Sequence, residues 1–293
     1  MGSCAFDLLF TKSVPHILEK IFLSLDYESY KSCLDVNKTW HGILTSEIYQ
    51  MRGKSVFHQA IINDQAKLRP AAFAGNVEKV RRLLSSRMLD VNHDNPTTSL
   101  FVAAQNGHKN VVSLLLEKGA DPNKASIYLT TPLSTAALCG HKQCVELLLD
   151  NGAQPNKTWL YVWTPLHRAS SNGLKDVVKL LLDKGADPNI TDHIGNTSLH
   201  GAGRGHKDVV QLLLDRGAET YMANQNTPLH YAVGGGHKDV AQLLLDRGAD
   251  PNMANQNGNT PLDLARRYGH LDIVIILIYG GTKKWLGDCC VVQ

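Results

Sequence analysis

Histidine is the residue type whose spacing could most readily support chemistry in this chain, which contains 13 of them. Eight recur at two fixed places in a repeated pattern: His108, His141, His206, His237 and His270 at one, and His167, His200 and His230 at the other. Clustered imidazoles bind metal ions or transfer protons. No two of these residues are four apart, the spacing of paired ligands on one helix. We therefore predict no metal site and a structural role, in which their hydrogen bonds tie helix ends and turns to the next repeat.

The six cysteines are the other residues with reactive side chains. They are Cys4, Cys33, Cys139, Cys144, Cys289 and Cys290. They form no pair of Cys-x-x-Cys motifs, so a zinc site is not predicted. The first twelve residues lack the basic region, apolar run and cleavage site of a secretory signal. We therefore expect free thiols in a reducing, cytoplasmic compartment.

Other catalytic patterns are missing from the sequence. No nucleophile–base pair can be identified, and the glycine-rich run at residues 233–239 lacks the Lys-Ser/Thr ending of a phosphate loop. The formal charge of +3, from 30 basic and 27 acidic residues, argues against nucleic-acid binding through bulk charge. We expect a protein that is not an enzyme and needs no cofactor.

The elements that carry these residues recur with a fixed period. A Thr-Pro-Leu or Thr-Ser-Leu box begins at Thr98, Thr131, Thr164, Thr197, Thr227 and Thr260. Successive boxes are 33, 33, 33, 30 and 33 residues apart, and each is followed by a glycine and a leucine-rich block. A period in the thirties is typical of stacked helical repeats, in which no single unit buries its own apolar face.

One unit shows how such a repeat is built. Thr131 is a good N-cap, and Pro132 fits the first helical position, where its missing N–H is not needed. Gly140 and Gly152 suit the left-handed residues that end two successive helices. These features resemble ankyrin repeats, with six clear repeats and a divergent first one. The resemblance implies an all-α solenoid with β-hairpin fingers over residues 59–285, about seven repeats in all.

The fifth repeat departs from the pattern. His206 stands nine residues after Thr197, whereas the other repeats that keep this histidine have ten, and the finger that follows is also shorter than its successor. Three glycines occur between Gly201 and Gly205. We predict a shifted register and a loosened or bent region there.

Two fingers carry unusual aromatic residues. Tyr128 lies in one, and Trp159, Tyr161 and Trp163 occupy alternate positions of the next, which places them on one side of an extended segment. Large exposed aromatics favour contact with a protein partner, so these four residues are the predicted target-binding site. The alternative is that they pack against the adjacent finger.

The segment at residues 13–58 does not belong to the array, and residues 1–12 form a tail before it. Ile17, Leu18, Ile21, Phe22 and Leu25 form one broad apolar face of a helix. With "CLDVNKTW" after it, the segment resembles an F-box, although Ser13, Val14 and His16 depart from the usual start. The resemblance implies three short helices that dock a Skp1-like adaptor through Pro15, Ile17, Leu18, Ile21, Phe22, Leu25, Val36 and Trp40. The alternative is a helical cap on the first repeat.

The last eight residues, 286–293, form a tail that ends in Cys-Val-Val-Gln. This ending fits the C-a-a-X prenylation motif at Cys290, with Cys289 as a candidate for a palmitoyl group. An ordinary tail is the alternative.

Together these features predict the substrate receptor of an SCF-type ubiquitin ligase. Its partners would be a Skp1-like adaptor in a cullin complex and a protein substrate that the sequence does not identify. A lipid on the tail would attach it peripherally to a membrane. The alternative is a non-ligase ankyrin scaffold that tethers a partner.

Overall fold

The structure is a computed structural model that describes residues 66–85, 89–92, 97–126, 130–157, 163–221 and 226–279. Backbone contacts divide the chain into two units. The first comprises Met1–Leu68 and Leu83–Asp90, and among its described residues Leu68, Leu83 and Leu84 are buried. The second comprises Arg69–Arg82 and Val91–Gln293 and holds nearly all of the described residues.

The described residues form helices and turns, with no strand among them. Residues 66–73 are helical and precede the first helix with defined bounds. The helices are α1 (Val77–Leu84), α2 (Ser99–Gln105), α3 (Lys109–Glu117), α4 (Pro132–Cys139), α5 (Lys142–Asp150), α6 (Pro165–Ser171), α7 (Lys175–Asp183), α8 (Ser198–Ala202), α9 (Lys207–Asp215), α10 (Pro228–Gly234), α11 (Lys238–Asp246), α12 (Pro261–Tyr268) and α13 (Leu271–Tyr279).

From α2 onwards each repeat contributes a pair of antiparallel helices. The even-numbered helices, here called first helices, pack against one another along the array and against their own second helices, which are odd-numbered. The second helices form a parallel row of their own. Each of these helices therefore packs chiefly against its own repeat and the repeats on either side, as the period predicts.

Every first helix from α2 to α12 begins at the threonine of its box. Thr131 is extended and its Oγ1 accepts a hydrogen bond from Ser134 N at 3.1 Å, while Pro132 occupies the first turn. Gly140 then ends α4 in the left-handed region, at φ 79°. The predicted cap, first-turn proline and terminating glycine of this repeat are thus confirmed.

The core is made of leucines and alanines contributed at the same places by successive repeats. In the first five boxes the leucine is buried, and the second helices of the same repeats bury another; the set is Leu100, Leu133, Leu166, Leu199 and Leu229 with Leu115, Leu148, Leu181, Leu213 and Leu244. Small alanines at Ala103, Ala136, Ala169, Ala232 and Ala265 are also buried and let first helices approach closely. A continuous core runs through the array because each repeat covers its neighbour's apolar side.

Asparagine side chains join the loops that follow successive second helices. Asn123 Nδ2 donates to Gly152 O at 2.8 Å, and Asn123 Oδ1 accepts from Gln154 N at 2.8 Å. Asn156 and Asn189 make the same two bonds to the repeats that follow them. This recurring pair of bonds satisfies backbone groups at the helix ends that would otherwise be unpaired.

The fingers differ from the expected β-hairpins in the described residues. The finger at Asp192 is closed by two backbone bonds, from Asp192 N to Asn196 O at 2.9 Å and from Gly195 N to Asp192 O at 3.1 Å, rather than by a ladder. Asp192 Oδ1 also accepts from Ile194 N and Asn196 N, so the carboxylate supplies bonds that a second strand pair would make. Asn255 repeats this arrangement in the last finger.

Several predictions fall on residues outside the described part of the chain. They are the adaptor-docking face (Pro15, Ile17, Leu18, Ile21, Phe22, Leu25, Val36 and Trp40), the aromatics Tyr128, Trp159 and Tyr161, and the lipidation candidates Cys289 and Cys290. Among the described residues, no helix has both the length and the apolar character needed to cross a membrane.

Candidate functional site

A pocket opens where the first helices α6, α8 and α10 meet the fingers that precede α6 and α8. Its empty volume is about 290 Å³, part of it open to solvent. Side chains from three consecutive repeats line it: Trp163, His167, Asp192, His200, Arg204 and Tyr231. Because these residues come from repeats four, five and six, the pocket exists only when the repeats are stacked.

Trp163 forms one wall of this pocket and is half-buried. Its indole Nε1 donates to Asp192 Oδ2 at 3.0 Å, across to the finger of the next repeat. Asp192 is only 6% exposed, and its carboxylate accepts this bond together with two backbone N–H bonds. Trp163 therefore packs against the adjacent finger, as the second interpretation of the aromatics expects, and also presents a surface to the pocket.

His167 shows the usual hydrogen bonds of the histidine that directly follows a Thr-Pro-Leu or Thr-Ser-Leu box, called the box histidine below. Its Nδ1 lies 2.7 Å from Thr164 Oγ1 and accepts from Thr164 N at 3.3 Å, so the ring proton belongs on Nε2. Nε2 lies 3.0 Å from Asn196 O in the next repeat and donates to it. Burial lowers the pKa of His167 despite opposing contributions from Asn196 and Asp192. His230 repeats this arrangement with Asn259 O at 3.0 Å.

His200 occupies the same position but lacks the second bond. Its Nδ1 accepts from Thr197 N at 2.8 Å, yet its Nε2 is buried without a hydrogen-bond partner among the described residues. The corresponding acceptor, the Asn226 carbonyl, raises the pKa but does not reach hydrogen-bonding geometry. Desolvation dominates and lowers the pKa of His200 to about 4, so the ring is neutral at pH 7. A neutral ring with its proton on Nε2 is an N–H donor that remains unsatisfied.

Helix α8 is the reason that this repeat differs. It has five residues, whereas the other first helices from α2 to α12 have seven or eight. The missing residue is absorbed in the turn at residues 203–205, where Gly205 has φ 117°. His206 then returns to the usual place, with Nε2 3.0 Å from Ser171 O. The register shift predicted from the sequence is thus confined to one turn, while the predicted loosening stays a prediction for hydrogen exchange.

Gly201 creates the space for the pocket. It stands four residues after the box threonine, where the neighbouring repeats carry Arg168 and Tyr231. A Cβ at Gly201 would lie 3.2 Å from Ser171 Cβ, so α6 and α8 approach closely here. On one side of Gly201, Tyr231 lines the gap that is left. Alignment of the repeats shows from the sequence alone that Gly201 replaces a large residue. Its effect could not be predicted, because the sequence does not show that this position faces the fingers.

The pocket lining contains one exposed cation, Arg204, and one buried carboxylate, Asp192. The Arg204 guanidinium lies 5.4 Å from the centre of the Tyr231 ring, a cation–π distance. Arg204 forms no ion pair with any described residue, whereas the Asp192 carboxylate already accepts bonds from Trp163 and from two backbone N–H groups. Aromatic walls with an unpaired cation suit an acceptor group, such as a carboxylate of a bound protein; sequence reasoning did not identify Arg204 or Tyr231.

The other repeated histidines bind backbone carbonyls, as predicted. His108 Nε2 lies 2.8 Å from Phe73 O, His141 Nε2 lies 3.0 Å from Gln105 O, and His206 makes the corresponding contact to Ser171. These bonds reach back to the preceding repeat, whereas His167 and His230 reach forward. Among the described residues, no group of three or more histidine, cysteine or acidic side chains is placed to hold a metal ion.

The two described cysteines are unpaired thiols with opposite environments. Cys139 is exposed at the end of α4. Cys144 is buried in α5, and that burial raises its pKa to about 11, so it stays protonated and unreactive. Neither thiol lies in the pocket lining.

Comparisons with known proteins agree with the architecture. The family model described as Ankyrin repeats (3 copies) matches residues 37–126, 68–159, 128–192, 161–224 and 199–288. The first match begins inside the segment predicted as an F-box. Bovine mitochondrial disaggregase is 38% identical over a segment that covers 31% of this chain and 15% of that protein.

A solved structure is similar over most of the chain. The crystal structure of the human ASB11 ankyrin repeat domain matches with a TM-score of 0.64 and 30% identity. The match covers 71% of this chain and 96% of that one. The family matches extend together from residue 37 to residue 288, well over half of the sequence. The chain belongs to the ankyrin-repeat family.

Proposed function

We propose that this protein is the substrate-recognition subunit of an SCF-type ubiquitin ligase. In this proposal residues 13–58 dock a Skp1-like adaptor of a cullin complex, and the ankyrin array binds a protein substrate. The pocket at Trp163, Arg204 and Tyr231 is the observation that carries the substrate-binding half. The ligase half rests on the resemblance of residues 13–40 to an F-box.

The receptor would perform no bond chemistry itself. It would hold a substrate close to a conjugating enzyme that another subunit carries, which raises the effective concentration of the substrate's lysines. We place the protein in the cytoplasm, with a prenyl group on Cys290 and a palmitoyl group on Cys289 as the means of peripheral membrane attachment. The alternative function is a non-ligase scaffold that tethers a partner through the same array.

The pocket also defines the chemistry of the substrate. Its exposed cation, Arg204, has no ionic partner among the described residues, and the aromatic rings of Trp163 and Tyr231 flank it. An acidic side chain on an extended or looped segment would pair with the guanidinium while its methylene groups contact the rings. We therefore propose a substrate motif with a central Asp or Glu.

The adaptor test uses the full chain. Purified protein mixed with Skp1 should co-elute in size-exclusion chromatography, and the double substitution Ile21→Asp with Phe22→Asp should abolish co-elution. Arg204→Glu is the control, because it alters the array and should leave adaptor binding unchanged. If the folded wild-type chain does not bind Skp1, the proposed ligase function is rejected and the scaffold function remains.

The substrate test compares two charge reversals of the same size. Proteins captured from cells by the chain should include a set that Arg204→Glu loses, whereas Lys118→Glu, on an exposed turn three repeats before Arg204, should retain it. A substrate from this set should lose binding when its acidic residue is changed to the amide. If both reversals retain the same set, the pocket is not the binding site.

A further inference from the structure

The last helix, α13, has an apolar side that faces solvent. Leu271, Ile275 and Tyr279 are 73, 58 and 66% exposed, and Ile278 beside them is also exposed. These four positions recur at i, i+4, i+7 and i+8, so they lie on one side of the helix. Ile273 and Leu277 are buried on the opposite side. The helix is therefore apolar on both sides, although only one of them packs in the array.

Equivalent positions in the other second helices are polar. The position of Leu271 is lysine in all five (Lys109, Lys142, Lys175, Lys207 and Lys238), and the position of Tyr279 is acidic in all five (Glu117, Asp150, Asp183, Asp215 and Asp246). Those ten residues are exposed even though most of their repeats have neighbours on both sides. An additional repeat after α13 would therefore leave Leu271 and Tyr279 in solvent. Leu271 and Tyr279 therefore do not belong to an uncovered stacking surface, whereas Ile278 stands where the other five second helices carry a half-buried leucine.

The end of α12 extends this side with interfacial residues. Tyr268 is 55% exposed and precedes α13 by two residues. The Arg267 guanidinium lies 6.0 Å from the centre of the Tyr268 ring, and Arg266 and Arg267 are both exposed. Tyrosines beside leucine and isoleucine, with arginines at the edge, are the residues that settle at the boundary between lipid headgroups and acyl chains. Tyr268, Leu271, Ile275, Ile278 and Tyr279 are called the C-terminal apolar face below.

The position of this face in the chain identifies what covers it. The candidate prenylation site Cys290 follows Tyr279 by eleven residues, so a lipid on it lies within about 40 Å of the face. One prenyl chain holds a protein only marginally at a membrane, and stable attachment needs a second signal. We propose that the C-terminal apolar face is a signal of this kind that acts beside the lipidated tail, and that it lies on an anionic membrane surface. The proposal rests on the lipidation part of the proposed function.

The test exchanges the face for the residues of α11. The triple substitution Leu271→Lys, Ile275→Gln and Tyr279→Asp places on α13 the side chains that α11 carries at Lys238, Gln242 and Asp246. Because α11 folds with Lys238 and Asp246 exposed and Gln242 half-buried, the variant should keep its fold, which circular dichroism and thermal unfolding check. Full-length prenylated protein is then sedimented with vesicles of phosphatidylcholine containing about 30% phosphatidylserine.

The expected result is a fall in vesicle partitioning of about tenfold or more for the triple variant, because one lipid remains. Cys290→Ser should cause a similar fall, and the four changes together should abolish partitioning. If Cys290→Ser has no effect while the triple variant no longer partitions, the membrane contact of the face is supported and the proposed lipidation of Cys290 is rejected. If the triple variant partitions like the wild type, the face is not a membrane contact. A change from dimer to monomer in light scattering, without any change in partitioning, would make the face a self-association surface and overturn the proposal.

Discussion

Repeats four and five begin with boxes that differ only in their second residue, Pro165 or Ser198, and the two repeats differ most in their first helices. Helix α6 has seven residues, and the His167 ring is bonded at both nitrogens. Helix α8 has five residues, and His200 is bonded only at Nδ1 among the described residues. Both repeats nevertheless end in second helices of nine residues that stack in the same row.

This difference shows how a solenoid tolerates a deletion. The register of the repeat is restored at His206, because that side chain still forms its hydrogen bond to the preceding repeat. The cost is local: two buried polar groups without partners among the described residues, His200 Nε2 and Ser198 Oγ, one glycine-lined gap and a shortened helix. Arg204 and Tyr231 line the same gap, so the least regular repeat contributes most of the residues of this pocket.

Removing one core leucine from repeat four or from repeat five should cause the largest losses of stability. Leu166→Ala and Leu199→Ala both empty fully buried positions, and each should lower the free energy of unfolding by about 2–5 kcal/mol. We expect the smaller loss at Leu199, because the shorter, glycine-rich helix can collapse into the cavity. Urea denaturation of the two variants measures this difference. A larger loss at Leu199 would mean that repeat five is as rigid as repeat four.

Acid should affect the two box histidines differently. The pKa of His200 is about 4 when folded and about 6.5 when unfolded, so the unfolded chain binds the proton first as the pH falls. Stability from this group is therefore complete above pH 6.5 and is lost between pH 6.5 and 4, by roughly 3 kcal/mol. In His200→Gln the urea midpoint should fall less over this range.

His230→Gln is the control for this titration. The pKa of His230 is also lowered by burial, but a bond to Asn259 offsets part of the effect. Its replacement should therefore reduce the pH dependence less than replacement of His200. Equal reductions would show that the missing Nε2 bond does not matter.

The contact that restores the register can be tested with two glycines of repeat four. Gly173 and Gly185 both have positive φ, so alanine costs about 1–2 kcal/mol at either one. At Gly173 the new Cβ would also lie 2.5 Å from the His206 ring, whereas at Gly185 it would meet nothing within 4 Å. Gly173→Ala should thus cost about 1 kcal/mol more, through the displaced His206 bond. Equal thermal shifts would contradict this role of His206.

Filling the gap itself should give the smallest change in stability. In Gly201→Ala the gain in helix propensity opposes a Cβ contact of 3.2–3.4 Å with Ser171, part of it with backbone that cannot move freely. We expect a net loss below about 1 kcal/mol together with weaker substrate capture, because the pocket becomes narrower. A gain in thermal stability would show that the two helices can separate.

Most of the array could be predicted because its information is local and repeated. The caps at Thr131 and Pro132, the glycine at Gly140 and the buried leucines follow from helix rules applied once per period. The hydrogen bonds of the fingers were not predicted, since the Asp192 side chain replaces the expected ladder bonds. The pocket was missed because it depends on three residues from different repeats, Gly201, Arg204 and Tyr231, whose proximity only stacking produces. The aromatic pattern did lead to one wall of it, Trp163.

The histidine and asparagine bonds between repeats all join residues 27 to 36 positions apart, so none passes over a neighbouring repeat. A pulling force applied to the two chain ends would therefore load each junction in series rather than in parallel. Every repeat that detaches would release about 110 Å of chain before the next junction bears the full tension. The molecule would then extend in steps of nearly equal length, one step for each repeat that detaches.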